Sequence, residues 1–170
     1  MINQFLKNSI VPFLLFLSVV AFSQEEQKVN QGFEFIAMEY YAGISNRTFV
    51  VFVTDSLIWG GKVNGIIMAG LTFGHTTKEI EDPYFYADPE RLIHFQNLDP
   101  IKFPADIHFL YKRSEIKSIT YTPKRKWGMG DVVHTGRLFL HFEKGGKREF
   151  ILLGKPDISL IKKTLNATEN

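Results

Sequence analysis

The sequence predicts a mainly β fold: a barrel or sandwich of about seven or eight antiparallel strands, completed by one C-terminal α-helix. Three observations predict it. Gly145-Gly146, within EKGGKR, separates two apolar runs, GRLFLHF and EFILLG, which is a hairpin signal. The segment PDISLIKKTL that follows places Ile158, Ile161 and Leu165 on one helical stripe. Upstream lie several β-branched and aromatic runs bounded by turn residues, in a chain with sixteen Phe and 45% hydrophobic residues.

Residues 1–23 read as a signal peptide. Lys7 and the α-amino group form a short positive region, Ile10 to Phe22 an apolar one, and Ala21-Phe22-Ser23 a small-x-small cleavage site. The cut is expected before Gln24, giving an exported protein, periplasmic or secreted. The apolar stretch is short and contains Pro12, so no membrane span is expected in the mature chain. Loss of Lys7 takes Lys plus Arg from 20 to 19 against 18 Asp plus Glu, a net charge of about +1. Export and near-neutrality argue against nucleic acid as a partner. The chain has no Cys, which excludes disulfides, thiolate zinc sites and thiol catalysis. Residues 24–32 are polar and read as a linker.

A single domain is expected over 33–166. Phe33 to Ala42 alternates as a strand, although a helical period also fits. Thr48 to Val53 is a buried strand, and Thr54-Asp55-Ser56 has turn chemistry. Leu57 to Val63 resumes a strand, with Gly60-Gly61 as a bulge or close-approach site. Asn64-Gly65 is the favoured pair for a two-residue hairpin, so Ile66 to Phe73 is expected as the next strand. An insertion at about 74–107 holds four prolines and a short helix starting at Asp88-Pro89-Glu90, with Leu92, Ile93, Phe95 and Leu98 as its apolar residues. Phe109 to Lys112 and Ile116 to Thr122 are strands, and Lys124 to Thr135 is a basic, then glycine-rich loop.

The closing hairpin sets the inward face. A three-residue loop, Gly145-Gly146-Lys147, pairs Phe142 with Phe150 and Leu140 with Leu152. Leu138, Leu140, Phe142, Phe150 and Leu152 then share one face, at the cost of placing Glu143 opposite Glu149. Asp157 or Pro156 begins the helix, Leu160 widens its stripe, and Lys162 and Lys163 face water near its C-terminus.

Val53-Thr54-Asp55-Ser56-Leu57-Ile58, Ser114-Glu115-Ile116-Lys117-Ser118-Ile119 and the unit from Leu138 to Leu165 resemble the bacterial branch of the pleckstrin-homology-like family, which includes GRAM-like domains. The resemblance spans most of residues 48–165. It implies a partly open seven-stranded barrel, one end plugged by the helix, and a non-enzymatic module that binds lipids or proteins. The first inter-strand loop, Gly43 to Arg47, has one basic residue rather than the cluster of phosphoinositide binders.

Two stretches are candidate binding sites. Lys124, Arg125 and Lys126 beside Trp127 suit phosphate or carboxylate groups at a membrane or glycan surface. The plainer reading is a solvated loop. Tyr84, Phe85 and Tyr86 lie among Glu79, Glu81, Asp82, Asp88 and Glu90 and suit a glycan or peptide platform; the plainer reading is that they staple the insertion to the sheet. The five histidines, His75, His94, His108, His134 and His141, show no metal-ligand spacing, and no nucleophile elbow, P-loop or dinucleotide fingerprint occurs. No cofactor, metal or catalytic residue is expected. The leading expectation is an exported, non-enzymatic binding module acting on a protein or envelope surface. The alternatives are a lipocalin-like carrier of a small apolar ligand and a hydrolase.

Overall fold

The computed structural model describes residues 32–41, 45–65, 67 and 72–169. Among the described residues eight strands form a single sheet: β1 (Phe33–Tyr41), β2 (Ser45–Val53), β3 (Leu57–Asn64), β4 (Phe109–Lys112), β5 (Ile116–Thr122), β6 (His134–Phe142), β7 (Lys147–Leu153) and β8 (Thr168–Glu169). Their order is β4-β3-β2-β1-β7-β6-β5-β8. All neighbours are antiparallel except β5 and β8, which are parallel.

The sheet is strongly curled. β4 and β7 are four positions apart in the order, about 19 Å if the sheet were flat. Yet the Phe109 and Phe150 rings lie 5.5 Å apart, and Tyr111 of β4 meets Phe142 of β6 at 4.7 Å. The expected barrel is not formed, because no ladder joins β4 to β5. The chain passes from β4 to β5 through a 3-10 turn at Arg113–Glu115. A bulge between Ile116 and Ser118 disturbs the start of β5, and β8 takes β5's outer edge at Thr120 and Tyr121.

Both faces of the sheet are covered. The inner face buries Phe35, Ala37, Phe49, Val51, Phe109, Leu138, Leu140, Phe150 and Leu152. The short C-terminal helix packs against it through Ile161 and Leu165; with two helices earlier in the chain numbered first, this is α3 (Ile158–Leu165). Asp157 caps it, accepting from the Leu160 amide at 2.9 Å. Leu160 itself is exposed and does not widen the stripe.

The outer face buries Ile36, Met38, Val50, Phe52, Trp59, Ile151 and Leu153 beneath the long β3–β4 connection. That connection carries α1 (Thr77–Glu81), a 3-10 turn at Pro83–Tyr86, and α2 (Pro89–Gln96). Asp88 caps α2 as its sequence predicts, accepting from the Arg91 amide at 3.1 Å. Phe95 and Leu98 point inward while Ile93 is exposed. Gly60 and Gly61 are close-approach sites rather than a bulge: a Cβ on Gly60 would overlap the Phe109 ring, and one on Gly61 the Phe95 ring. The irregularity of this ladder lies instead between Thr48 and Phe49.

Two sequence expectations need correction. The second strand of the hairpin expected at Asn64-Gly65 falls largely on residues outside the described ones, and among the described residues β3 pairs next with β4. The Asn64 side chain instead donates to the Tyr86 carbonyl at 3.1 Å and accepts from the Gly65 amide at 2.7 Å. Of the strand expected over Ile66 to Phe73, residues 66 and 68–71 lie outside the described residues, and Thr72 and Phe73 form a turn. The eighth strand is the C-terminal Thr168–Glu169. The closing hairpin is also shifted: Leu138 pairs with Phe150 and Leu140 with Arg148. Glu143, Lys144 and Gly145 form the loop, with Gly145 and Gly146 both at φ +86°. The shift preserves which residues face inward, since it moves the pairing by an even number. It also separates Glu143 from Glu149.

Candidate functional site

A pocket of about 300 Å3 opens at one end of the curled inner face, lined by Glu39, Arg47, Phe49, His108, Tyr111, Phe142, Lys147 and Arg148. Its residues converge from the end of β1, the start of β2, the start of β4 and the β6–β7 hairpin. α3 lies toward the other end: Thr164 and Asn166 line a second cleft there with Val53, Thr54 and Asp55.

Arg148 anchors the pocket. The observed register puts it on the inward phase of β7, with Phe150 and Leu152. Its Nε donates to the carboxylate of Glu39, which is itself inward and 5% exposed. Its second arm donates to the Tyr111 hydroxyl at 2.8 Å. The guanidinium lies 3.8 Å from the Phe109 ring centroid, with Phe150 at 5.1 Å. A flat, delocalised cation suits such an aromatic cage better than an ammonium would. Arg47 and Lys147 add two cations to the lining, against the single carboxylate of Glu39. His108 registers the resulting field. Its pKa lies below the ordinary histidine value, first because it is partly desolvated and then because Lys62, Arg47, Arg148 and Arg91 disfavour a further positive charge.

The second cleft, about 790 Å3, has the opposite character. Asp55 and Asp99 line it with Thr54, Ser56, Thr164 and Asn166, and Arg113 is its one basic residue. Arg113 donates to the Thr164 carbonyl at 3.3 Å, and Lys102 lies 3.4 Å from Asp99.

The candidate residues taken from the sequence fall elsewhere. Lys124, Arg125, Lys126 and Trp127 begin the β5–β6 loop, which folds back over the outer face with Met129 and Val132 buried. The three cations do not converge. Lys126 pairs with Glu149 at 2.8 Å, while Arg125 turns to the Val132 carbonyl at 3.3 Å and to His134 at 3.5 Å. Lys124 is exposed, and Trp127 is 93% exposed. Tyr86 is wholly buried: its hydroxyl donates to the Ile80 carbonyl at 2.8 Å and accepts from the Val133 amide at 3.3 Å. Phe85 meets His75 edge-on at 4.7 Å. Tyr84 donates to Glu34 at 3.0 Å, and desolvation together with that carboxylate pushes its pKa up to about 12. This trio thus holds the insertion on the sheet and presents no continuous aromatic platform.

The remaining histidines are dispersed. His141 meets the Thr120 hydroxyl at 3.2 Å, and His134 is buried beside Arg125. Among the described residues no group of three His, Asp or Glu side chains is placed to hold a metal ion. Among the same residues no helix is long and apolar enough to cross a membrane.

The pocket residues were missed at the sequence level, yet a signal was present. Glu39 falls in phase with Phe33, Phe35 and Ala37, and Arg148 in phase with Phe150 and Leu152. Opposite charges on two inward phases mark a buried pair. No protein-family model, curated protein or solved structure matches the chain.

Proposed function

We propose that the protein is an exported, non-enzymatic binding module that takes an anionic group of a protein or envelope surface into the basic end of its curled sheet. The observation that carries this reading is the convergence of Arg47, Lys147 and Arg148 on one pocket whose field also disfavours protonation of His108. Arg148 is held rigid by Glu39, Tyr111 and the Phe109 ring, so an incoming phosphate or carboxylate meets a pre-oriented donor and little side-chain freedom is lost on binding. Arg47 and Lys147 stand at the rim and supply charge without being locked in a buried pair. The run of antiparallel strands, the closing hairpin and the single C-terminal helix on the inner face also support the pleckstrin-homology-like reading. Those folds present ligands at loops and sheet ends, and fold alone does not choose the ligand.

The test is a titration with inorganic phosphate and with glycerol phosphate, followed by NMR shifts of His108 and the Arg47, Lys147 and Arg148 amides. Saturable shifts are expected. Combined replacement of Arg47 and Lys147 by Ala is expected to weaken binding by about 2 kcal/mol, roughly thirtyfold, at about 1 kcal/mol per cation. Unmoved signals at high probe concentration, or an unchanged affinity in the double variant, would reject the pocket as the site.

A further inference from the structure

We infer that the protein docks end-on to an anionic lipid bilayer, with Trp127 and Phe73 entering the membrane interface beside the basic pocket. This deepens the proposed function and rests on it for the electrostatic half of the contact only.

Trp127 is 93% exposed and Phe73 is 91% exposed. Both stand on loops held by defined contacts. The Thr72 hydroxyl donates to Asp131 at 2.7 Å and so ties the turn carrying Phe73 to the loop carrying Trp127. Lys126, next to Trp127, is fixed to Glu149. Gly128, on its other side, has φ +85° and packs so closely on the Tyr40 hydroxyl that a Cβ would lie 3.0 Å from it. Met129 and Val132 bury their side chains in the outer-face core. The rings are therefore held out in water by a fixed scaffold, although the same loop has apolar cover available for Met129 and Val132. An amphipathic indole suits the headgroup boundary, where its ring meets acyl chains and its N–H meets water or phosphate.

Charge decides what covers these rings. The loop touches the sheet at Glu149 and Tyr40, the immediate neighbours of the pocket residues Arg148 and Glu39. Trp127 and the basic pocket thus lie at the same end of the sheet. Arg47, Lys147 and Arg148 supply the cations there, while Lys126 is paired with Glu149 and Arg125 turns to Val132 and His134. The other cleft, bearing Asp55 and Asp99, lies next to Val53, six residues from Arg47 along β2 or about 20 Å. A nearly neutral molecule thus has a basic end, and that end carries Trp127, with the Phe73 turn tied to the same loop through Thr72 and Asp131. An anionic bilayer complements both features, whereas the end that carries Asp55 and Asp99, offset by Arg113 and Lys102, offers it no excess of positive charge.

The chain has two tryptophans, and Trp59 is 1% exposed, so any environment-dependent change in emission reports Trp127. The experiment adds the purified protein to phosphatidylcholine vesicles with and without an equal part of phosphatidylglycerol. Tryptophan emission and co-sedimentation are followed, with brominated lipid as a depth-sensitive quencher. Expected are a blue shift and bromine quenching with the anionic vesicles only. Trp127→Ala should abolish the shift and weaken sedimentation at least tenfold, and Phe73→Ala should weaken it severalfold. Both side chains are exposed, so neither variant endangers the fold. Sedimentation unaffected by Trp127→Ala, or emission unmoved on saturating vesicles, overturns the inference. A lipid-free blue shift that grows with protein concentration also overturns it and assigns the rings to a second copy of the chain. The two readings fail separately. Phosphate binding in the pocket without Trp127 insertion leaves the proposed function standing and ends this one. Trp127 insertion into anionic vesicles with no phosphate response in the pocket does the reverse.

Discussion

Glu39→Gln is expected to destabilise the protein more than almost any other isosteric change. Glu39 is 5% exposed and carries the carboxylate opposite Arg148. Removing one member of a buried pair costs about 3 to 5 kcal/mol, because the remaining charge is stranded. Arg148 keeps the Tyr111 hydroxyl and the face of Phe109, which places the cost nearer the lower bound, about 3 kcal/mol. Against a typical total of about 5 to 15 kcal/mol this is a large fraction. It corresponds to a fall in Tm of about 10 °C for a domain of this size. Arg148→Met should cost at least as much, since it strands a more deeply buried carboxylate. The double variant, Glu39→Leu with Arg148→Met, should return to within about 1 kcal/mol of the parent, because apolar side chains fill the same space without desolvation cost. Urea melts of the four proteins form the complete cycle. Single variants that each lose less than about 1 kcal/mol, or a double variant whose loss equals the sum of the singles, would refute a coupled buried pair. The same Glu39→Gln change should tighten phosphate binding about fivefold while it lowers stability, since it removes the one carboxylate of the pocket, worth about 1 kcal/mol near the ligand.

Further outcomes can be read from named positions. His134 is 7% exposed, and burial, reinforced by Arg125 and Arg137, lowers its pKa to about 4 from 6.5. The unfolded chain therefore takes up this proton first as pH falls, so stability present above pH 6.5 is lost progressively toward pH 4, by about 3 kcal/mol. His134→Phe should flatten the urea-midpoint profile across that window, and an unchanged slope would exclude His134 as the cause. Gly61→Ala should cost about 1 to 3 kcal/mol by pushing Phe95 and α2 off the outer face, seen as increased protease sensitivity of the β3–β4 connection. Tyr86→Phe should cost about 1 to 3 kcal/mol, since it strands the Ile80 carbonyl and the Val133 amide, and a neutral result would show that water replaces the hydroxyl.

Local chemistry carried much of the fold in the sequence. The strand alternation through Phe33, Phe35 and Ala37, the Asp88 and Asp157 caps, and the inward set from Leu138 to Leu152 all follow from periodicity and short-range hydrogen bonding, which a sequence displays directly. Three matters did not follow. Asn64-Gly65 has turn chemistry, but the Asn64 side chain donates to the Tyr86 carbonyl of the long connection, a partner 22 residues away. The hairpin loop lies at Glu143 to Gly145 because pairing Leu138 with Phe150 keeps Glu149 beside Lys126 and Arg137, whose positions come from a separate loop. Sheet closure depended on which strand reaches the outer edge of β5, and β8, a two-residue strand outside the expected domain, takes part of that edge.

The candidate sites divided in the same way. A cluster such as Lys124 to Trp127 is conspicuous because its members are adjacent in sequence, and adjacency does not make side chains converge. The basic pocket draws on positions 39, 47, 108, 111, 147 and 148, which only the curl of one sheet brings together. The sequence by itself determined most of the strands from β2 to β7, their inward faces and the C-terminal helix, because these rest on spacing within a few residues. The tertiary structure decided the open sheet, the covering of its outer face and the polarity of its two ends, because these rest on contacts between residues far apart in the chain.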